Sequence, residues 1–171
     1  QKYAPQQVIE QYFAAPESML VGENRRLTIL FSDIRDFTSI SEQMESGDVV
    51  ESLNEYFGRM VEIIMEHQGV VDKYIGDAVM AFYGAPAEDP DSAFHAVSAG
   101  LDMIDALSSF NEWQTEHGRQ QFRIGVGINY GDVTIGNIGS DRKMDYTVVG
   151  DMVNLASRLE GLTKVYGEPI I

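Results

Sequence analysis

Cysteine is absent from the 171 residues, which excludes disulfides, thiolate zinc sites and a cysteine nucleophile. Basic residues are scarce: 12 Lys and Arg stand against 27 Asp and Glu, a formal net charge of −15. So acidic a surface repels nucleic acid and anionic lipid, because phosphate binding at long range needs a basic patch. It attracts cations, which makes divalent metal sites worth seeking. No apolar run approaches the ~20 residues of a membrane-spanning helix, and no signal peptide is visible. What remains is an ordinary folded composition, with 44% hydrophobic and 23% charged residues, which excludes wholesale disorder. The length suits one domain with a sizeable core, and the lack of cysteine fits a cytosolic setting. The chain opens on Gln1 and ends on Glu168-Pro169-Ile170-Ile171 within an apolar run, so it is expected to be a segment of a larger protein.

Residues 1–20 read as a short leader. Val8, Ile9, Tyr12 and Phe13 give a fragment of helical spacing ahead of Pro16, fitting either a packed terminus or the end of a connector from an upstream module. Arg26–Ser32 is rich in β-branched and apolar residues and predicts a buried strand, with Asp33 at its C-terminal end. Ser39-Ile-Ser-Glu42 matches a capping box and predicts a short helix from there. A second helix is expected from Asp48, with Val49, Leu53, Tyr56, Met60 and Ile64 at helical spacing to about His67. The runs Val70–Ile75 and Ala78–Tyr83, separated by Gly76-Asp77, predict a tight hairpin. Asp89-Pro-Asp91 opens a long helix whose buried stripe is expected to be Phe94, Val97, Leu101, Ile104, Leu107 and Phe110. Phe122, Ile124, Val126, Ile128 and Tyr130 alternate as in a half-buried strand. The Gly-rich stretch from Gly131 to Lys143 predicts a long hairpin or arm, and Tyr146–Val149 a short strand. Gly150-Asp151 leads into a last helix with Val153, Leu155, Leu159 and Leu162 apolar, and a final strand is expected near Pro169. The order β-α-α-β-β-α-β-β-α-β predicts an α+β, ferredoxin-like split βαβ sandwich, with helices on one face of a mostly antiparallel sheet.

Several residues carry candidate chemistry. Asp33 ends the first strand and Asp77 sits in the hairpin turn. If those strands lie side by side, two hard oxygen ligands converge at one sheet edge, as Mg²⁺ or Mn²⁺ prefers. The same carboxylates also fit plainer roles, a turn former at Asp77 and a helix-leading acid at Asp33. The loop from Ile34 to Thr38 offers backbone N–H groups at a helix start, opposed by Asp36 unless that side chain points away. Asn154 and Arg158 lie four apart on one helix face, suited to a sugar and a phosphate or to a solvated surface. Lys73 among Val and Tyr fits either a ligand contact or an edge strand guarded by charge. Gly125 and Gly127 mark a close approach by a ligand or another chain, or equally a bulge or tight packing against a helix. Trp113, the methionines and His67, His95 and His117 read as structural.

Taken together, the strings L-F-S-D-I-R-D-F-T, V-D-K-Y-I-G-D-A-V-M-A-F-Y-G-A-P, I-G-V-G-I-N-Y-G and Y-T-V-V-G-D-M-V-N-L-A-S-R-L-E resemble class III adenylate/guanylate cyclase catalytic domains of bacterial type. The resemblance implies a connector over 1–24 and a catalytic domain over 25–171. It implies cyclisation of ATP to 3′,5′-cyclic AMP and pyrophosphate, with two Mg²⁺ or Mn²⁺ ions per site held by Asp33, Asp77 and the Ile34 carbonyl. Arg158 matches the arginine that stabilises charge on the α-phosphate, and Asn154 the asparagine that positions the ribose. Lys73 offers only donors and suits adenine N1, while Thr147, where many cyclases carry Asp, accepts from N6. The site implied is composite: a head-to-tail homodimer with two sites, the Gly131–Lys143 segment serving as a dimer arm. The implied parent is cytoplasmic in this part and carries an upstream sensor or membrane module. Guanylate cyclase and a catalytically silent nucleotide- or metal-binding regulatory dimer are the alternatives.

Overall fold

The computed structural model describes residues 22–140 and 143–171; the expected leader helix fragment lies outside the described residues. Strand β1 (Glu23–Ile34) is followed by α1 (Phe37–Ser41), α2 (Ser46–Glu66), the hairpin β2 (Val70–Ile75) and β3 (Ala78–Tyr83), then α3 (Ser92–Glu116), β4 (Ile124–Ser140), β5 (Lys143–Val149) and α4 (Asp151–Tyr166). The expected order is present. Its last member is a single parallel bridge from Ile170 to Val126, reinforced by backbone bonds from Val126 and Ile128 to the Pro169 and Ile171 carbonyls.

The five strands run in the order β2-β3-β1-β4-β5, every neighbouring pair antiparallel. Period-two alternation gives β1 two different faces. Leu30 and Ile34 enter a core with Tyr56, Met60 and Ile64 of α2 and Met103, Leu107 and Phe110 of α3. Leu27, Ile29 and Phe31 enter a second core with Phe82, Val133, Val148 and Ala156. Helix α4 therefore covers the face opposite α2 and α3, where the sequence suggested one helical face. The second half of β4 and β5 form the expected hairpin arm. It curls over the second face, so that the Tyr146 ring lies 6.2 Å from Phe82.

Three local expectations change. Helix α1 starts at Phe37, with Asp36 left-handed at its N-cap (φ 59°) and no side-chain cap. Arg35 N–H bonds to the Arg123 carbonyl at 2.7 Å, turning the chain before Ser39 can act, and Ser41 donates instead to the Thr38 carbonyl. Helix α3 buries Ala96, Ala99, Gly100, Met103, Leu107 and Phe110, while Phe94 is 70% exposed and Val97 and Leu101 face outward. The small residues win the inward face because there is no room for larger ones: a methyl on Gly100 would stand 2.8 Å from Ile170 Cδ1. Helix α4 likewise buries Ala156 and Thr163 and leaves Leu155 and Leu162 exposed.

Candidate active site

The register of β1 against β3 pairs Ser32 with Val79. Continued by two residues, it brings Asp77 beside the end of β1, where Asp33 lies opposite Gly125 of β4. Gly76 takes a positive φ of 65°, the conformation that lets the β2–β3 turn close in two residues and present Asp77. The two carboxyl groups interact directly. Burial, the Asp77 carboxylate and the more distant Glu160 push the Asp33 carboxyl up to about 7, while the Ile34 backbone N–H pulls it down. Acidic groups so close repel unless a proton or a cation lies between them. Their hard oxygen donors fit Mg²⁺ or Mn²⁺. Among the described residues no set of three or more acidic, imidazole or thiol groups is gathered for a metal. A pair of carboxylates leaves positions for water and phosphate.

Glu160 is the residue the sequence reading missed here. Gly125 and Gly127 of β4 have no side chains because α4 lies directly on them. A methyl on Gly127 would overlap the Glu160 backbone nitrogen and the Ala156 carbonyl. The glycine pair thus marks helix packing, and it lowers Glu160 towards Asp33. Burial raises the Glu160 carboxyl as well, opposed by Lys164 and Arg35. Asp36, expected to oppose phosphate binding in its loop, turns to Lys164 Nζ at 3.2 Å and Arg123 at 3.7 Å.

A second cluster forms around Asp72, which the sequence reading also passed over. Its side chain is 1% exposed, and Lys73 Nζ stands 3.3 Å from Oδ1. Thr147, buried on β5, donates its hydroxyl to Asp72 Oδ2 at 2.6 Å. The curled arm thereby joins Lys73 and Thr147, 74 positions apart in the chain, although β2 and β5 are opposite edges of the sheet. As an edge-strand lysine, Lys73 also matches the guarding role.

Asn154 and Arg158 share the exposed outer face of α4. Leu155, Leu162 and Val165 are exposed on the same helix. Within one chain, then, Asp33 meets Asp77, Lys73 and Thr147 both meet Asp72, and Asn154 and Arg158 face outward. The histidines have structural partners: His67 pairs with Asp102 and His95 with Asp89, both at 2.7 Å, and His117 with the Trp113 carbonyl at 2.8 Å. No helix among the described residues is long and apolar enough to cross a membrane.

Residues 20–165 match the family described as the adenylate and guanylate cyclase catalytic domain. Adenylate cyclase 1 of Rhizobium meliloti is 39% identical over 147 residues, covering 86% of this chain and 22% of that protein. The adenylate cyclase of Anabaena cylindrica is 43% identical over 157 residues, covering 88% and 30%. The chain thus spans less than a third of these curated relatives. Among solved structures, the adenylyl cyclase CyaB from P. aeruginosa superposes with a TM-score of 0.81 at 40% identity, covering 83% of this chain and 74% of that one. The guanylyl cyclase Cya2 superposes at 0.80 with 44% identity, covering 82% and 71%. With the four motifs, the sheet order and the paired aspartates in place, the chain belongs to the adenylate and guanylate cyclase catalytic domain family.

Proposed function

We propose that this chain is the catalytic domain of an adenylate cyclase, forming 3′,5′-cyclic AMP and pyrophosphate from ATP. The ribose 3′-oxygen attacks the α-phosphorus in line, and the bond from that phosphorus to the pyrophosphate oxygen breaks. Asp33, Asp77 and the Ile34 carbonyl are the residues that would hold Mg²⁺ or Mn²⁺, two ions per site. Bound there, the ions supply the charge that acidifies the 3′-hydroxyl and neutralises the triphosphate. The Arg158 guanidinium meets negative charge as it builds on the α-phosphate oxygens. Asn154 holds the ribose in line. Lys73 donates to adenine N1 and Thr147 accepts from N6.

The observation that carries this reading is the meeting of Asp33 and Asp77 across β1 and β3, 44 positions apart in sequence. The composite homodimer is supported by the outer face of α4. There Asn154 and Arg158 stand beside exposed Leu155, Leu162 and Val165, an apolar surface that a second copy would cover. In that head-to-tail dimer, Asp33 and Asp77 of one protomer face Lys73, Thr147, Asn154 and Arg158 of its partner. The β4–β5 arm extends the contact. The domain is cytoplasmic in this reading, joined in its parent to a sensor or membrane module.

The test is a product assay with ATP and with GTP, in Mg²⁺ and in Mn²⁺. Cyclic AMP as the main product is expected. The guanylyl cyclase relative makes GTP the informative second substrate, and cyclic GMP as the main product would refute the assignment. A folded chain that binds nucleotide without turnover would make it a silent regulatory domain instead.

A further inference from the structure

Asp72 is out of place by ordinary rules. An acidic side chain on an edge strand is expected in solvent, yet this one is 1% exposed. The pairing of β2 with β3 shifts between Val71 and Lys73, a bulge at Asp72 that re-aims side chains. Its Oδ2 accepts the Thr147 hydroxyl at 2.6 Å. Its Oδ1 is buried with no hydrogen bond, and Lys73 Nζ at 3.3 Å is the positive charge beside it. A buried carboxylate is expensive to keep, and this one touches the two residues assigned above to the base.

We infer that Asp72 is a positioning residue that fixes the hydrogen-bond polarity of the Thr147 hydroxyl and holds Lys73 beside it, and through them sets the preference for adenine over guanine. The inference rests on the adenylate cyclase reading. A threonine hydroxyl has one proton and two lone pairs. Free to rotate, it donates to guanine O6 as readily as it accepts from adenine N6, so threonine alone is a poor discriminator. Asp72 removes that freedom: a carboxylate only accepts, so the Thr147 proton points to Oδ2 and the oxygen presents lone pairs to the base. Lys73 has only donors. The pair then offers one acceptor and one donor, complementary to adenine N6–H and N1. Against guanine both positions clash, lone pair against O6 and ammonium against N1–H. Fixed polarity of this kind rejects a wrong partner far more strongly than shape does.

Asp72→Asn reverses the arrangement. Lys73 can only donate, so the new amide turns its oxygen towards Lys73 and its NH₂ towards Thr147. The Thr147 oxygen then accepts from the amide, and its proton swings to the base, where it suits guanine O6. We expect the ATP-to-GTP ratio of kcat/KM to fall about tenfold or more in Asp72→Asn, with most of the change in KM. In a Thr147→Val background the same substitution is expected to leave the ratio where Thr147→Val put it, since its route is gone. Thr147→Ser keeps the hydroxyl and is expected to keep the ratio.

The experiment measures both nucleotides with the full chain in Mn²⁺, by turnover and by competitive binding of non-cyclisable ATP and GTP analogues. Equal losses for both nucleotides in Asp72→Asn would mean a purely structural role and overturn the inference. If Asp72→Asn does not fold, an unchanged ratio in Thr147→Val overturns it equally. A wild-type chain that prefers GTP, or binds neither nucleotide, overturns the adenylate cyclase reading itself. A wild type selective for ATP with an unaltered ratio in Asp72→Asn overturns this inference alone.

Discussion

Gly127→Ala places one methyl between β4 and α4. That methyl would overlap the Glu160 backbone nitrogen and the Ala156 carbonyl oxygen, and stand 2.7 Å from Glu160 Cα. A crowded side chain can rotate aside, but these atoms are helix backbone, so α4 as a whole must lift. Restoring van der Waals distance needs a displacement on the order of 1 Å, a shift that can cost about 10²-fold in rate when it moves catalytic groups. Overpacking of a close-packed contact costs about 1–3 kcal/mol, and the rigidity of the partner puts this case near the top of that range. At ~2–4 °C per kcal/mol for a domain of this size, Tm falls by roughly 5–10 °C. Because α4 carries Asn154 and Arg158, cyclic AMP formation at saturating ATP falls with it. Gly58→Ala is the matched opposite: it lies inside α2, where a methyl meets nothing within 4 Å, and helix propensity favours alanine by about 1 kcal/mol. That variant gains a few degrees and keeps its activity. Thermal unfolding by circular dichroism reads both. A Gly127→Ala chain that melts with the wild type and retains full activity would refute the seating of α4 on a side-chain-free strand.

Asp33→Asn and Asp77→Asn are each expected to abolish cyclic nucleotide formation with the circular dichroism spectrum unchanged, and to abolish the rise in Tm that Mn²⁺ gives the wild type; retention of either response would remove the residue from the metal site. The raised carboxyl of Asp33 binds a proton more tightly folded than unfolded. Without divalent ions, stability should therefore fall as pH rises from the usual aspartate range to about 7 and level off above. Asp33→Asn removes that decline, which urea titrations across pH will register. Arg158→Ala should lower turnover by about 10²–10³-fold, the scale of losing one preorganised electrostatic group. Mixing Arg158→Ala with Asp33→Ala chains should restore activity through one intact composite site. A mixture that exchanges subunits yet stays inactive would argue against the shared site.

Much of the fold could be read from residue pattern because the signals were local. Gly76-Asp77 between two apolar runs gave both hairpin strands with the observed limits, and the glycine carries the positive φ such a turn needs. The inward face of α3 could not be read this way. Periodicity reveals that a helix has apolar positions, not which of them the neighbouring sheet has room for. Phe94, Val97 and Leu101 are bulkier than Ala96, Ala99 and Gly100, and only the closeness of Val126 and Ile170 decides for the small ones. At the site, Asp33 and Asp77 were legible because one lies at the end of a recognisable strand and the other in a recognisable hairpin turn. Asp72 was not, for two reasons: a bulge breaks the alternation that would have announced its burial, and its partner Thr147 arrives through the curl of the arm, which no local pattern encodes. Glu160 left a trace that went unused. Two glycines on one strand face call for a helix against them, and Ala156, Glu160 and Thr163, at spacings of four and three, form the face that fits.

The sheet order also ranks the parts of the site by how readily they open. Strand β1 is hydrogen-bonded on both sides, to β3 and β4, so its amides should be among the last to exchange with solvent, near the global unfolding limit. Asp33 is rooted there. Lys73 and Thr147 ride on β2 and β5, strands with only one ladder each, tied together through a single aspartate. Local opening should loosen the proposed base-reading residues long before it disturbs the acidic pair. Warming or mild denaturant would then erode the choice of nucleotide before it erodes chemistry, and drift in sequence would find selectivity easier to change than catalysis.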